Sequence, residues 1–571
     1  MVESLPQSTE IRPFEALAYE RPDESFMDDL FRKTRLQIKG AKTAAALKET
    51  LRDFEAAWLH VVSSARLARI RRVIGPDQAF YEAESEWINE QNVTNLLRLS
   101  EMVEGLDTHR LRREVEPEIG SDIFREARQL NATISPAIED ELREEAKMKA
   151  QLRAFSFAGD GYSNSEKRHF AWDNVEGQFD SELRRRTYLE QAESVAFTLR
   201  QREKIFNDLI RTRTKMATTM GYRDYVEYAL VRYGIDRTQL AKRAEFRALV
   251  VQHIVPLCRQ IRRLQMQRLG KNELEPADYY LLMREMWPGT ELDQQAIDDA
   301  YKASMKSLVG ALGDYFSVLS LQGYVNYDQD AAKALSAPSF FIPSASAVYL
   351  NVGDEKLSTF VPSLFYATGV AIADSIAFYE KRKMLAFRST LLTRALAGTA
   401  VMMLSKPEWE RFLGRASNLA LELELTRRIL EIPLMCAVEA FEEQLYMHPE
   451  WNLSTRSQVW RRLKRVYLPD EAEGDHMSVM PYAIDWLTVE SLVDTPLRHT
   501  EQAMAEVMVL ATKPYISKQG SAELELNMTR MVGDTKNTVP LDMALAAGFH
   551  SPYEANTFRM AAFTTAMLLG L

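Results

Sequence analysis

Cysteine is nearly missing from this chain: its 571 residues include two, Cys258 and Cys436. A pair so far apart builds no disulfide framework, and the scarcity suits a reducing compartment. Histidine is also scarce. The eight are His60, His109, His169, His253, His448, His476, His499 and His550. No two lie three to five residues apart, the spacing at which helix or loop histidines share a metal ion. Basic charge is in deficit: 71 Lys and Arg against 81 Asp and Glu leave a net charge of −10. That excludes the broad cationic face of a general nucleic-acid binder. No stretch reaches the roughly 18 uninterrupted apolar residues of a membrane span. The opening MVESLPQSTEIRPFEALAYERPDES has no apolar run of a secretory signal. The expectation is a cytoplasmic protein without nucleic-acid or membrane partners.

Glycine and proline number only 23 and 21, and long segments run without either, so helix is expected to dominate. Residues 1–20 read as a disordered or loosely attached arm. From about residue 21 to 571 the chain reads as a single helical body, with an N-terminal half over about 21–200. Apolar residues recur at spacings of three and four from Asp28 to Ile74, from Glu182 to Met220 and from Glu245 to Gly270. SFAGDGYSNSEKRHF (Ser156 to Phe170) is polar and reads as a loop or short hairpin. PSFFIPSASAVYLNVGDE is β-branched and aromatic between turn residues, the signature of strands. Two nearly all-apolar helices come next. One spans about 361–384, with Ser358 or Thr359 as cap and Pro362 in its first turn; the other spans 389–404, capped by Ser389 or Thr390. No G-x-S-x-G element is present, and the single glycine of NVGDE is too few for a phosphate cradle.

Several segments in order resemble the oligoendopeptidase F and Pz-peptidase branch of the thimet-oligopeptidase zinc peptidases. They are MGYRDYVEYALVR and HIVPL between Thr212 and Leu257, EIPLMCAVEAFEEQLYMHPE (Glu431 to Glu450) followed by VWRRLKRVYLP, and the series FFIP, AVYLNVG, SLFYATGVA. AGFHSPYEANTFRMAAF closes the chain. The resemblance implies a mainly α fold: a large helical ellipsoid of two halves around a deep channel, with a small β-sheet that includes AVYLNVG beside the helix near Pro362.

The same resemblance implies a zinc site built on H-E-x-G-H, two histidines binding the metal and the Glu activating its water. Here Tyr366 and Val370 stand at the histidine positions, Ala367 at the base and Gly369 at the glycine. The place of the third ligand, on the next helix, falls at Ala395. Every metal-binding group is gone, so no cofactor is expected. The peptidases also hold substrate with a His and Tyr residues near the C-terminus. Ser491, Val493 and Gln502 stand near those places, with His499 or Tyr482 as a remnant.

Bland and sharp readings compete at each of these positions. Tyr366 reads either as an aromatic filling the volume of the lost zinc or as a phenol contacting a ligand. Asp374 reads as a buried carboxylate paired with Arg394, and Cys258 and Cys436 as buried small hydrophobes. The basic runs Arg259 to Lys271 and Trp460 to Arg465 read as solvated helix faces. The expected function is a pseudopeptidase that binds a peptide or protein partner, its backbone pairing at an edge strand. Candidate ligand contacts are Tyr349, Asn351, Tyr366, Gly369 and His499. The alternatives are an enzyme repurposed for non-zinc chemistry and a structural or assembly protein acting through its outer surface. The sequence leaves the oligomeric state open, a homodimer included.

Overall fold

Long runs of good helix formers, each opened by a capping side chain, dictate the architecture. The computed structural model describes residues 11–157, 180–235, 238–279, 281, 293–309, 311–328, 331–332, 335, 337–353, 357–381, 390–473, 485–489, 491–516 and 540–571. Seven helices carry the residues of functional interest. They are α1 (Ala44–Ile74), α2 (Thr238–His253), α3 (Val255–Leu269), α4 (Leu357–Lys381), α5 (Leu391–Leu404), α6 (Ser417–Met447) and α7 (His499–Ile516). The Thr43 hydroxyl accepts the Ala46 N–H at the start of α1, and Thr390 accepts from Thr393 at the start of α5. Each such cap contributes about 1 kcal/mol. Helix α3 has a proline in its first turn and stops at Gly270, whose φ of 66° is left-handed.

The chain forms two compact units, each drawn from three segments: 1–136, 290–420 and 512–550 in the first, 137–289, 421–511 and 551–571 in the second. The expected contiguous N-terminal half over 21–200 is therefore cut at residue 136. The first segment has a core of its own, in which Phe31, Phe54 and Trp58 pack with Met27, Met102 and Phe124. Burying each such side chain contributes about 1.5–3 kcal/mol.

The first unit also holds a three-stranded sheet: β1 (Val325–Asn326), β2 (Ser339–Ile342) and β3 (Ala347–Asn351), in the order β1-β3-β2. Strand β3 runs parallel to β1 and antiparallel to β2, with Tyr349 opposite Phe340. Every residue of β2 and β3 is buried, which is why these segments are apolar at successive positions instead of alternating. The β2–β3 turn places Ser346 in the left-handed region, at φ 49°.

Three expectations need correction. The arm is not loose throughout. Residues 1–10 lie outside the described residues, but Ile11 and Phe14 are buried, the Phe14 N–H donates to the Gln322 carbonyl at 2.9 Å, and Arg71 donates to the carbonyls of Phe14 and Leu17. Two buried apolar side chains and a guanidinium overcome the polar composition that suggested disorder. The helix expected at 361–384 begins a turn early, at Leu357, and is described to Lys381; it keeps Pro362 in its interior. The basic runs are only partly solvated. In the first, Arg262 is buried against Glu471 at 2.6 Å and Lys271 pairs with Asp278 at 2.6 Å; in the second, Trp460 and Lys464 are buried while Arg461, Arg462 and Arg465 are not. The loop expected at Ser156 to Phe170 lies outside the described residues beyond Phe157.

Both cysteines are buried and unoxidised. In the second unit Pro433 lies inside α6 and supplies no N–H for the carbonyl of Ile429. The Cys258 thiol donates to that carbonyl at 3.4 Å. Burial pushes the thiol up to about 12.

Candidate functional site

The positions that the resemblance aligns with a zinc site, Tyr366, Ala367, Val370 and Ala395, all lie in the first unit, on α4 and α5. Helix α4 is apolar for long enough to cross a membrane over Thr359–Phe378, yet most of that stretch is buried inside the protein. Such a helix is a core element. Ala367, Val370 and Ala395 are each at most 1% exposed. Tyr366 is half-buried.

Small residues bring the two helices together. A Cβ built on Gly369 would sit 2.3 Å from the Ala397 carbonyl oxygen and 2.8 Å from the Gly398 Cα. A Cβ on Gly398 would sit 2.7 Å from the Tyr366 ring. Gly369 is thus required by backbone contact alone, without reference to a metal. The Tyr366 ring occupies the space that any larger residue at 398 would claim. Further along the same pair of helices, Arg394 Nε pairs with Asp374 at 3.3 Å, as expected from the sequence. Elsewhere on α4, the Thr368 hydroxyl meets Tyr301 Oη at 2.8 Å, and Phe365 packs edge-on against Phe412 at 5.9 Å.

Zinc, which the resemblance implies, does not fit this donor set. At the ligand places that the resemblance implies stand a phenol, a valine and an alanine, with a second alanine at the place of the base, and none supplies the nitrogen or carboxylate the metal requires. The carboxylate nearest in sequence on α4, Asp374, is engaged by Arg394. Among the described residues no three His, Cys, Asp or Glu side chains are grouped to hold a metal ion.

Two further candidate contacts have structural partners instead. Strand β3 is the central strand, so it offers no edge. The Tyr349 ring is 1% exposed and packs on Phe14 at 4.9 Å between centroids. The Asn351 amide donates to the carbonyls of Ala332 at 3.0 Å and Ala337 at 2.9 Å, and its oxygen accepts from Asn326 at 2.8 Å. Helix α1 meets β2 and the turn that follows it. Arg66 of α1 donates to the Phe341 carbonyl, and Ser63 accepts the Ser344 N–H at 2.9 Å. Strand β3 therefore offers no free backbone for pairing with an extended peptide, and on β2 the Phe341 carbonyl is already engaged.

His499 belongs to the second unit, at the start of α7, in a cluster that sequence reasoning missed. Arg243 and Arg247 lie one turn apart on α2, and Glu439, Glu442 and Glu443 lie on α6. Arg243 donates to Glu439 at 2.7 Å and to Glu501 at 3.3 Å, and Arg247 donates to Glu443 at 2.7 Å. Glu439 accepts the Thr500 N–H at 2.7 Å and so caps α7. Burial pushes the Glu439 carboxyl up, but Arg243 and Arg247 outweigh it and hold it down at about 2. The i, i+4 spacing of Arg243 with Arg247 and of Glu439 with Glu443, set in apolar helix, was the available signal.

Of the remaining C-terminal positions, Val493 is buried and its carbonyl, with that of Leu492, accepts from Arg213. Gln502 donates to Glu506 at 2.8 Å. Tyr482 lies outside the described residues.

Residues 14–134 match the peptidase M3 N-terminal domain. No curated protein sequence matches the chain. Among solved structures, one described as an oligoendopeptidase F aligns at a TM-score of 0.88 and 19% identity, covering 98% of this chain and 99% of that one. Pz peptidase A with an inhibitor aligns at the same TM-score, identity and coverage. One from Bacillus anthracis str. Ames, also described as an oligoendopeptidase F, aligns at 0.83 and 18% identity over 98% of both chains. At such identities the likeness establishes architecture alone: the chain has the mainly helical fold of oligoendopeptidase F, and its first segment matches the peptidase M3 N-terminal domain.

Proposed function

We propose that this chain is a catalytically inactive relative of the M3 zinc peptidases, a pseudopeptidase that takes no metal cofactor and binds a peptide or protein partner in the cytoplasm. The observation that carries the reading is the α4–α5 contact. Tyr366 lies over Gly398 between the two helices that carry the aligned zinc-site positions, and Gly369 is required for backbone approach. Water activation by zinc needs deprotonable ligands at those places, and aliphatic side chains supply none. Recognition of a partner by extension of β3 is disfavoured by its central place in the sheet.

The test combines metal and peptide measurements on the purified full chain. Dialysis against zinc followed by elemental analysis is expected to leave far less than one equivalent bound. A peptide library monitored by mass spectrometry is expected to show capture without cleavage. One tightly held equivalent of zinc, or cleavage abolished by a chelator, overturns the reading. The outer-surface alternative has one observation in its favour: Phe563 and Met567, four residues apart on the helix Ala555–Leu569, are 71% and 59% exposed. Capture from the native host of a protein partner, lost on Phe563→Ser, would favour it.

A further inference from the structure

Within the second unit one pair of titratable groups stands apart from the neatly matched ion pairs around it. Glu442 Oε1 and His499 Nε2 face each other at 3.7 Å. Both atoms are buried, and among the described residues neither has a hydrogen-bond partner. The separation is too long for a hydrogen bond and short enough for strong attraction in a poorly solvated interior. The other Glu442 oxygen accepts the Leu497 N–H at 2.7 Å. Leu497 is held in the left-handed region, at φ 64°, where a leucine is strained. Its carbonyl accepts from Arg243 at 3.0 Å. The segment Leu497–Thr500 is thus bent back over α6 and fastened at both ends by buried carboxylates, Glu442 at Leu497 and Glu439 at Thr500.

The charges facing this pair are arranged in layers. Arg243 and Arg247 approach from α2, where they neutralise Glu439 and Glu443. Next to His499, Arg498 pairs with Glu501 and lies over the Tyr233 ring at 4.7 Å. Tyr446, one turn along α6 from Glu442, accepts from Arg213. Among the described residues, Glu442 is left with His499 as its cationic partner.

We infer that Glu442 and His499 form a proton-operated latch: one proton held between them keeps Leu497–Thr500 closed on α6, and its loss releases the segment. The direction of the linkage comes from the environment. Burial moves the Glu442 carboxyl up. Burial pulls the imidazole of His499 down, but the Glu442 carboxylate outweighs it and carries the imidazole above its ordinary 6.5. A group raised in the folded state stabilises fully below its ordinary value and ceases to do so as pH rises through the raised one. Both contributions therefore fall as pH rises, that of Glu442 from its ordinary 4.5 upward and that of His499 from its ordinary 6.5 upward. The strained Leu497 supplies the tendency to open once the attraction is gone. The latch rests on the second unit alone, independently of the pseudopeptidase reading.

Hydrogen exchange on the full chain between about pH 6 and 9, corrected for base-catalysed intrinsic exchange, reads the latch directly. Protection of the Leu497 and Thr500 amides is expected to fall by up to about tenfold per pH unit once His499 deprotonates. In His499→Gln, which fills the site without titrating, protection is expected to be low and flat. Protection in the wild type that does not change with pH, or an equal fall in His499→Gln, overturns the proposal. Should the variant fail to fold, the wild-type imidazole titration by NMR decides: a midpoint above the ordinary 6.5 agrees with the latch, and one at or below it overturns it.

Discussion

The α4–α5 contact in the first unit and the α2–α6–α7 cluster in the second solve one problem by opposite means. Both press helices together out of water. In the first, side chains are removed until backbone meets backbone at Gly369, Ala397 and Gly398. In the second, large charged side chains are kept and matched, arginine against glutamate, in space from which solvent is excluded. The difference sets how each region fails. A contact made by omission is broken by adding atoms, and a matched network is broken by taking one member away.

The largest effect is expected from the network. Glu439→Gln leaves Arg243 and Arg247 without their shared counter-charge and weakens the cap on Thr500. Breaking a buried pair from one side costs about 3–5 kcal/mol, read as a lower midpoint in urea unfolding. The wild type should also lose stability as pH falls from the ordinary glutamate value of 4.5 toward 2, because the Glu439 carboxyl is depressed in the fold. That acid slope should be shallower in Glu439→Gln.

Adding one carbon to the other region comes next. Gly369→Ala forces a methyl into the Ala397 carbonyl, and overpacking of this kind costs about 1–3 kcal/mol. Gly398→Ala should cost a similar amount, but through the Tyr366 ring, which can be cut away. In a double-mutant cycle, Tyr366→Ala should recover part of the loss at 398 and none of the loss at 369. Equal recovery at both would mean that Tyr366, and not the backbone, sets the helix separation. The smallest effect is at Cys258. Cys258→Val should cost about 0.5–1.5 kcal/mol, the worth of one ordinary hydrogen bond, while Cys258→Ser, which keeps a donor, should lie closer to the wild type.

The same contrast explains how much could be read from the sequence. Segments dominated by local rules were legible: the cap at Thr390, the strand residues around Phe340 and Tyr349, the apolar helices, and the Asp374–Arg394 pair. Tyr366, Gly369 and Ala395 could be placed on facing helices because the resemblance supplies their order. Gly398 could not, since its reason is the Tyr366 ring on the preceding helix. The buried cluster was missed because Arg243, Arg247 and Glu439 look like any charged positions of a helix until their long-range partners are known. Tyr349 and Asn351 were misjudged for a related reason. A strand's composition does not say whether it lies at the edge of a sheet or between two neighbours.

The thiol that stands in for the missing proline N–H has a practical consequence. Cys258 commits its proton to the Ile429 carbonyl in a site from which solvent is excluded, and Cys436 is buried as well. Both should be inert to maleimide in the folded chain, since alkylation needs an accessible thiolate. A cysteine introduced at an exposed position, Arg461 for instance, would then be the one reactive thiol. The wild-type background is in effect ready for site-specific fluorophores or spin labels, with no native cysteine to remove first.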